Sequence, residues 1–207
     1  MSTTTSTSGQ QTTLLITCGA IAGEILAILK QNALSFMKVE CLPAHLHNTP
    51  QQIPEAVRAK IRQSRDKFQH LFVLYADCGT GGKLDAVLEE EGVKRIPGAH
   101  CYELFAGHDA FADIMNTEVG SFFLTDFLAQ HFDRLVWKGL GLDKNPKLVK
   151  LYFANYTRLL YLAQSENPKI HQLAEQAAEK LGLRFEIHRT GYGGFETFLA
   201  SLKELAD

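Results

Sequence analysis

The chain has 207 residues, of which 45% are hydrophobic and 21% are charged, and its formal net charge is -2. These values are typical of a globular protein, and the near-neutral charge argues against a nucleic-acid-binding surface, which is usually basic. No apolar run approaches the roughly 20 residues that a membrane-spanning helix needs. A chain of this length buries enough surface to fold without disulfides, and it fits one large domain.

The first 13 residues are rich in Ser, Thr and Gln and contain no Lys or Arg. They lack the charged and apolar segments of a secretory signal peptide, so we predict a disordered lead-in over 1–13 and a single domain over 14–207. We expect the protein to be cytoplasmic, where thiols stay reduced. Its four cysteines are therefore not expected to form disulfides.

Short apolar runs that stop at glycine or proline predict strands, and apolar residues that recur every three to four positions predict helices. In the first half the predicted strands are 14–17, 37–42, 71–75 and 93–96, and the predicted helices are 20–30, 54–66, 83–90 and one that ends near 115. In the second half we predict helices over 122–137, 146–155, 168–181 and 195–205, and strands over 158–162 and 184–188. This alternation predicts an α/β domain with a mostly parallel sheet, helices on both faces and a helix-rich second half.

Three of the four cysteines, Cys18, Cys78 and Cys101, fall in predicted strand-to-helix turns. Ligand sites of open parallel sheets form at the carboxyl ends of the strands. A thiol near a helix N-terminus has a lowered pKa, and thiolates are the ligands of zinc and iron–sulfur clusters. We therefore predict a metal site with one coordination position left open. Buried core cysteines and reactive thiols are the alternatives, because the spacing matches no compact metal-binding motif.

Seven further residues in or near the same turns are predicted to contribute to the site. They are Asp77, His100 and Glu103 as catalytic groups, and His47, Gly79, Gly81 and Gly82 as cofactor-binding groups. The two carboxylates would act as a general base or orient a ligand histidine, although helix capping explains them equally well. The glycine-rich turn fits no phosphate-binding motif, so a plain tight turn is its simpler interpretation.

Five blocks of this sequence together resemble a family of uncharacterised bacterial and archaeal proteins, domain of unknown function 1638. The blocks are Thr17-Cys18-Gly19, Leu46-His47-Asn48, Tyr75-Ala76-Asp77-Cys78-Gly79, Arg95-Ile96-Pro97-Gly98-Ala99-His100-Cys101-Tyr102-Glu103 and Phe122-Phe123-Leu124-Thr125-Asp126. The resemblance covers residues 14–205. It implies no defined activity, but it implies a link to corrinoid-dependent methyltransferase systems.

The leading hypothesis is a metalloprotein whose three cysteines hold an iron–sulfur cluster with one open iron, or a zinc ion. Such a centre would act as a Lewis acid, or activate water or a thiol, on a small molecule of one-carbon, sulfur or cobalamin-linked metabolism. The alternative is a non-catalytic accessory protein that binds a corrinoid or another small ligand, with His47 as a ligand. Whether the chain is an enzyme stays open. The expected partners are a small-molecule ligand and a corrinoid or methyltransferase protein, with no nucleic acid or membrane.

Overall fold

The computed structural model describes residues 12–202, so the predicted lead-in lies outside the described residues except at 12 and 13, and Thr13 already belongs to the first strand. Within the described range there are seven strands and nine α-helices. The strands are β1 (Thr13–Cys18), β2 (Met37–Leu42), β3 (His70–Leu74), β4 (Lys94–Arg95), β5 (Ser121–Thr125), β6 (Arg158–Ala163) and β7 (Arg184–Arg189). The helices are α1 (Ala22–Gln31), α2 (Ile53–Ser64), α3 (Lys83–Glu91), α4 (Cys101–Ala106), α5 (His108–Thr117), α6 (Asp126–Gln130), α7 (Lys147–Tyr152), α8 (Pro168–Leu181) and α9 (Gly194–Ser201). None of these helices is long and apolar enough to cross a bilayer.

The strands form two parallel sheets, which confirms the predicted α/β class and adds a division that the sequence did not indicate. The first sheet has the order β2-β1-β3-β4, and the second has the order β5-β6-β7. All pairings are parallel. The short β4 pairs with β3 over only two residues, and the chain then passes through α4 and α5 before β5 begins the second sheet.

The prediction of a helix over 122–137 is wrong at its start, because Ser121–Thr125 is a strand. The aromatic and apolar residues of this segment are compatible with a buried strand as well as with a helix. The segment is a strand because it pairs with β6. The helix begins only at Asp126, where the Thr125 side chain accepts a hydrogen bond from the Leu128 amide at 3.3 Å. A π-helical turn, Asp133–Trp137, follows the short α6.

The central strand β1 is buried on both faces, as expected for a parallel sheet covered by helices. Leu14, Leu15 and Ile16 have no exposed surface. Leu14 and Ile16 pack in the core with α2 and α3, whereas Leu15 packs on the opposite face with α1 and α9. That second core also contains Leu160 of β6, so the two sheets share one apolar layer.

The loop before α9 approaches α4 closely because it contains glycine at the contact point. Gly193 has a φ of 53°, and a Cβ there would lie 2.3 Å from the Phe105 carbonyl oxygen. The rings of Phe105 and Phe195 pack beside this contact with their centroids 5.0 Å apart. The packing anchors α4, whose first residue is Cys101.

The ends of β5 and β6 are joined by the buried carboxylate of Asp126. It accepts hydrogen bonds from Tyr161 Oη at 2.6 Å, from the Gln164 amide at 3.0 Å and from Ser165 Oγ at 2.5 Å. Only 5% of the Asp126 surface is exposed. Since the buried Tyr161 hydroxyl would lose its partner without the carboxylate, this residue is expected to contribute strongly to stability.

The variant Asp126→Ala should lower the free energy of unfolding by about 2 kcal/mol, because the buried Tyr161 hydroxyl would lose its partner, whereas the more exposed Gln164 and Ser165 can turn to water. Chemical denaturation followed by circular dichroism measures this change. Asp133→Ala is the matched control, since its side chain is 72% exposed and only pairs with Lys180. The control should change stability by no more than about 0.5 kcal/mol. Equal losses in the two variants would contradict the role given to Asp126.

Candidate functional site

The three predicted ligand cysteines line one small cavity at the carboxyl edge of the first sheet. Cys18 is the last residue of β1, Cys78 follows β3, and Cys101 begins α4. The cavity has a volume of about 20 Å³, which is room for roughly one water-sized guest. Its other walls are mostly apolar and include Ala20, Ile21, His47, Ile53, Leu74, Tyr75, Ala76 and Phe195.

Backbone hydrogen bonds bring the turn after β3 beside the turn that leads into α4. The Asp77 amide donates to the Gly98 carbonyl at 3.0 Å, and the Cys78 amide donates to the Ala99 carbonyl at 2.8 Å. Cys78 has a φ of 49°, a left-handed conformation that costs a residue with a side chain about 1 kcal/mol. The strained turn therefore places the Cys78 thiol next to Cys101.

The three thiols differ in their acidity because their surroundings differ. The neighbouring Cys101 thiol lowers the pKa of Cys78, against the opposing effect of burial. The closeness of Cys78, together with burial, raises the pKa of Cys101 well above its usual range. Burial raises the pKa of Cys18 to about 11. Cys78 is therefore the most acidic of the three thiols.

Tyr75 contributes a buried hydroxyl group to the same cavity. Only 2% of the residue is exposed, and its Oη makes no hydrogen bond to any of the described residues. Burial raises the pKa of Tyr75, so the hydroxyl stays protonated. A buried hydroxyl without a partner costs about 1–3 kcal/mol, which a polar guest in the cavity would offset.

His47 lies in a 3-10 turn, Ala44–Asn48, that covers the cavity. Although the residue as a whole is exposed, its imidazole borders the cavity, and the partial loss of hydration there lowers its pKa. The charge of His100 lowers the pKa of His47 further. Tyr102 Oη lies 3.4 Å from His47 Nε2 and can donate to this neutral ring. The turn is attached to the second half of the chain by Asn48 Nδ2, which donates to the Leu135 carbonyl at 2.7 Å.

A wider cleft lies on the other side of the thiols, next to the edge strand β5. Its volume is about 280 Å³. It is lined by His47, Cys78, His100, Cys101, Tyr102, Ser121, Phe122, Phe123 and Tyr156. The cleft shares His47, Cys78 and Cys101 with the small cavity, so these residues form the wall between an enclosed space and an open one.

Asp77 and the glycines that follow it are placed outside this wall. The Asp77 carboxylate accepts hydrogen bonds from Thr80 Oγ1 at 2.5 Å and from the amides of Gly81 and Gly82 at 3.1 and 2.9 Å. These amides are therefore occupied by the chain itself and are not free to hold a phosphate or another anion. Gly79 packs against Pro50 and lines neither the cavity nor the cleft. Asp77 therefore closes the turn that precedes α3, whereas the N-cap of the helix is Gly82, without a side-chain cap.

Glu103 is also separated from the thiols. Its carboxylate accepts hydrogen bonds from the Ala99 amide at 2.8 Å and from His108 Nδ1 at 2.7 Å, and the second contact lowers the pKa of Glu103. It faces another groove, of about 610 Å³, which Leu104 and Phe198 also line. His100, in contrast, borders the cleft beside Cys101.

Sequence reasoning missed the tyrosines of the site. Tyr75, Tyr102 and Tyr156 are not among the predicted site residues, although Tyr75 lines the cavity and the other two line the cleft. For Tyr75 and Tyr102, a signal was present in the sequence, because each tyrosine stands within three residues of a predicted ligand cysteine. Tyr156 carries no such signal, since it reaches the cleft only through the packing of the two sheets.

Between residues 12 and 202, no group of three or more His, Cys, Asp and Glu side chains is arranged to hold a metal ion. The three thiols share a cavity wall, but they do not meet at a preformed coordination point. Binding a metal would therefore require the thiols to turn toward a common centre.

In metal-free protein, Cys101→Ala should raise the pKa of Cys78, because the neighbouring thiol that favours its thiolate is lost. Alkylation of Cys78 by iodoacetamide at pH 7 should then slow several-fold, and its pH profile should move upward. Mass spectrometry of the labelled peptide, in a Cys41→Ala background, measures this rate. Cys18→Ala is the comparison variant and should leave the profile nearly in place. An unchanged profile in Cys101→Ala would contradict the pairing.

Comparison with known proteins gives a family but no activity. Residues 41–199 match the family described as "Protein of unknown function (DUF1638)". No curated protein matches this chain. Among solved structures, an ornithine carbamoyltransferase from Pyrococcus furiosus aligns with a TM-score of 0.25 and 11% sequence identity. The alignment covers 87% of this chain and 55% of the ornithine carbamoyltransferase chain. A likeness this distant carries no argument about fold or function. The family match confirms the resemblance seen in the sequence, and the chain belongs to the family of proteins of unknown function DUF1638.

Proposed function

We propose that Cys18, Cys78 and Cys101 bind a metal centre, an iron–sulfur cluster or a zinc ion, whose open position faces the cleft. The observation that carries this proposal is the shared wall: three thiols from three separate turns line one cavity, and two of them also line the cleft. A small molecule in the cleft would meet the centre at that wall. When bound, the centre would supply Lewis-acid chemistry to an oxygen or sulfur atom of that molecule.

The type of side chain supports a metal that prefers sulfur. Thiolates bind zinc and iron–sulfur clusters strongly, and both require the ligand to be deprotonated. Burial keeps Cys18 protonated in the metal-free protein, with a pKa of about 11. A bound cation would reverse this preference, because its charge stabilises the thiolates inside an apolar cavity.

The hydroxyl of Tyr75 supports the presence of a polar guest. It is buried in the cavity wall with no partner among the described residues. Hydrogen bonds to ligand sulfur atoms orient metal ligands and tune the centre. Tyr75 would serve this purpose for a guest held by the cysteines.

The volume of the cavity limits what it can hold without rearrangement. About 20 Å³ accommodates a single ion, whereas a cluster would also need the thiol-facing part of the 280 Å³ cleft. In either case the cysteine side chains would have to turn inward. The choice between zinc and a cluster is therefore a question for metal analysis.

His47 and Tyr102 would control protons at the mouth of the site. The Tyr102 hydroxyl lies 3.4 Å from His47 Nε2 and can donate to it, which would leave the other ring nitrogen protonated. That N–H would donate a hydrogen bond to a molecule in the cleft. His100, on the same wall of the cleft, is a second proton donor or acceptor.

The cleft favours this proposal over the corrinoid alternative. Its volume of about 280 Å³ lies at the lower end of the range for small-molecule pockets. A corrin macrocycle with its side chains is larger than the ligands for which such a pocket suffices. We therefore expect a smaller molecule in the cleft.

Metal analysis of the full chain, purified without oxygen, tests the proposal. We expect near-stoichiometric iron with acid-labile sulfide and a broad visible absorption band, or near-stoichiometric zinc in a colourless protein. The variants Cys18→Ser, Cys78→Ser and Cys101→Ser should each lower the bound metal roughly tenfold or more. Cys41→Ser is the control, because Cys41 is exposed and lies outside the cavity, and it should retain the metal.

Circular dichroism of each variant distinguishes lost metal from lost folding. A folded triple serine variant with as much bound metal as Cys41→Ser would refute the proposal. So would protein that stays free of metal after incubation with zinc, and after reconstitution with ferrous iron and sulfide without oxygen.

A further inference from the structure

The cleft beside the thiols is bordered by two pairs of aromatic rings. Tyr102 and Phe123 are stacked, with their centroids 5.2 Å apart and their planes 20° from parallel. Phe122 and Tyr156 meet edge to face, with centroids 5.7 Å apart and planes at 86°. All four residues line the cleft. They account for much of its wall.

This wall follows from the position of β5 at the edge of the second sheet. Phe122 and Phe123 are neighbours in the strand, so their side chains leave it on opposite faces. Phe123 packs with the core that the two sheets share, whereas Phe122 packs with the core of the second sheet. Both rings reach the cleft because it opens along the side of β5 that has no neighbouring strand.

The aromatic wall continues outward to the protein surface. A second hollow, of about 230 Å³, shares Phe122 and Tyr156 with the cleft. Its other lining residues are Leu140, Tyr152 and Phe153. Tyr152 and Tyr156 are 47% and 37% exposed, respectively. A flat molecule would therefore meet aromatic side chains from the surface inward to Cys101.

The cleft offers polar contacts from histidine, tyrosine and cysteine side chains. None of its lining residues is Asp, Glu, Lys or Arg. Ser121 Oγ is already engaged, since it donates to the Glu118 carbonyl and accepts from Arg158 Nε. The imidazoles of His47 and His100 and the hydroxyl of Tyr102 remain on the wall nearest the thiols. These groups suit an uncharged molecule that carries a few hydrogen-bonding atoms.

We propose that the cleft binds a small, flat and uncharged aromatic or heteroaromatic molecule, with its polar edge toward the thiols and its faces against the aromatic wall. Contacts between aromatic rings stabilise a bound flat ring beyond the burial of its area, and a saturated ring of the same size does not gain this stabilisation. Only one part of this inference rests on the proposed function, namely that the polar edge of the ligand would meet a metal centre held by the thiols. The preference for a flat ring belongs to the cleft itself.

Benzamide and cyclohexanecarboxamide form a matched pair of probes, because both are uncharged amides and only the first has a flat ring. We expect benzamide to bind the full chain roughly fivefold more tightly, as measured by saturation-transfer NMR titration. Tyr156→Leu should remove most of this preference. Phe68→Leu is the control, since Phe68 packs in the core on the far side of the first sheet, and it should leave the preference unchanged.

Equal affinity for the two amides would overturn the inference, as would a preference that survives in Tyr156→Leu. Repeating the titration with Cys18→Ser separates this result from the proposed function, because Cys18 lines the cavity but not the cleft. If a variant that has lost its metal still binds benzamide, the cleft inference holds independently of the metal proposal. Metal binding without any preference for benzamide overturns the cleft inference and leaves the metal proposal standing.

Discussion

The candidate site depends on two backbone hydrogen bonds that join the turn after β3 to the turn before α4. They run from Asp77 to Gly98 and from Cys78 to Ala99, and they extend the contact between these segments beyond the two-residue strand β4. Without them, Cys78 and Cys101 would stand at the ends of two independent loops. With them, Cys78 takes up a left-handed conformation and its thiol meets that of Cys101. Strain of this kind persists only where surrounding contacts hold it, and it occurs often at functional sites.

The division into two sheets creates the space in which a ligand would sit. If β5 had paired with β4, a single continuous sheet would have left no cleft at that point. Instead β5 is an edge strand, and the two sheets share an apolar layer that includes Leu15 and Leu160. The thiols therefore lie between an enclosed cavity in the first sheet and a cleft bordered by the second.

Much of the site was predictable because parallel strands expose their ends at one edge. The apolar runs that end before Cys18 and Cys78 indicated which turns would lie there, and the family resemblance marked the same turns. The orientation of individual side chains was not predictable. Glu103 is only two residues from Cys101, but two residues correspond to about 200° around a helix, and its carboxylate therefore faces a different groove. Asp77 is adjacent to Cys78, but its carboxylate accepts hydrogen bonds from the Gly81 and Gly82 amides of its own turn.

The sequence by itself determined the α/β class, the family and the location of three cysteines at strand-to-helix turns. These features depend on local hydrophobic patterns and on residues close together in the chain. Only the tertiary structure decided that β5 starts a second sheet and that Tyr156 joins a wall with Cys101. It also decided that Tyr75 keeps an unpaired hydroxyl in the cysteine cavity. These features depend on contacts between segments far apart in the chain, where packing and unpaired strand edges outweigh local preference.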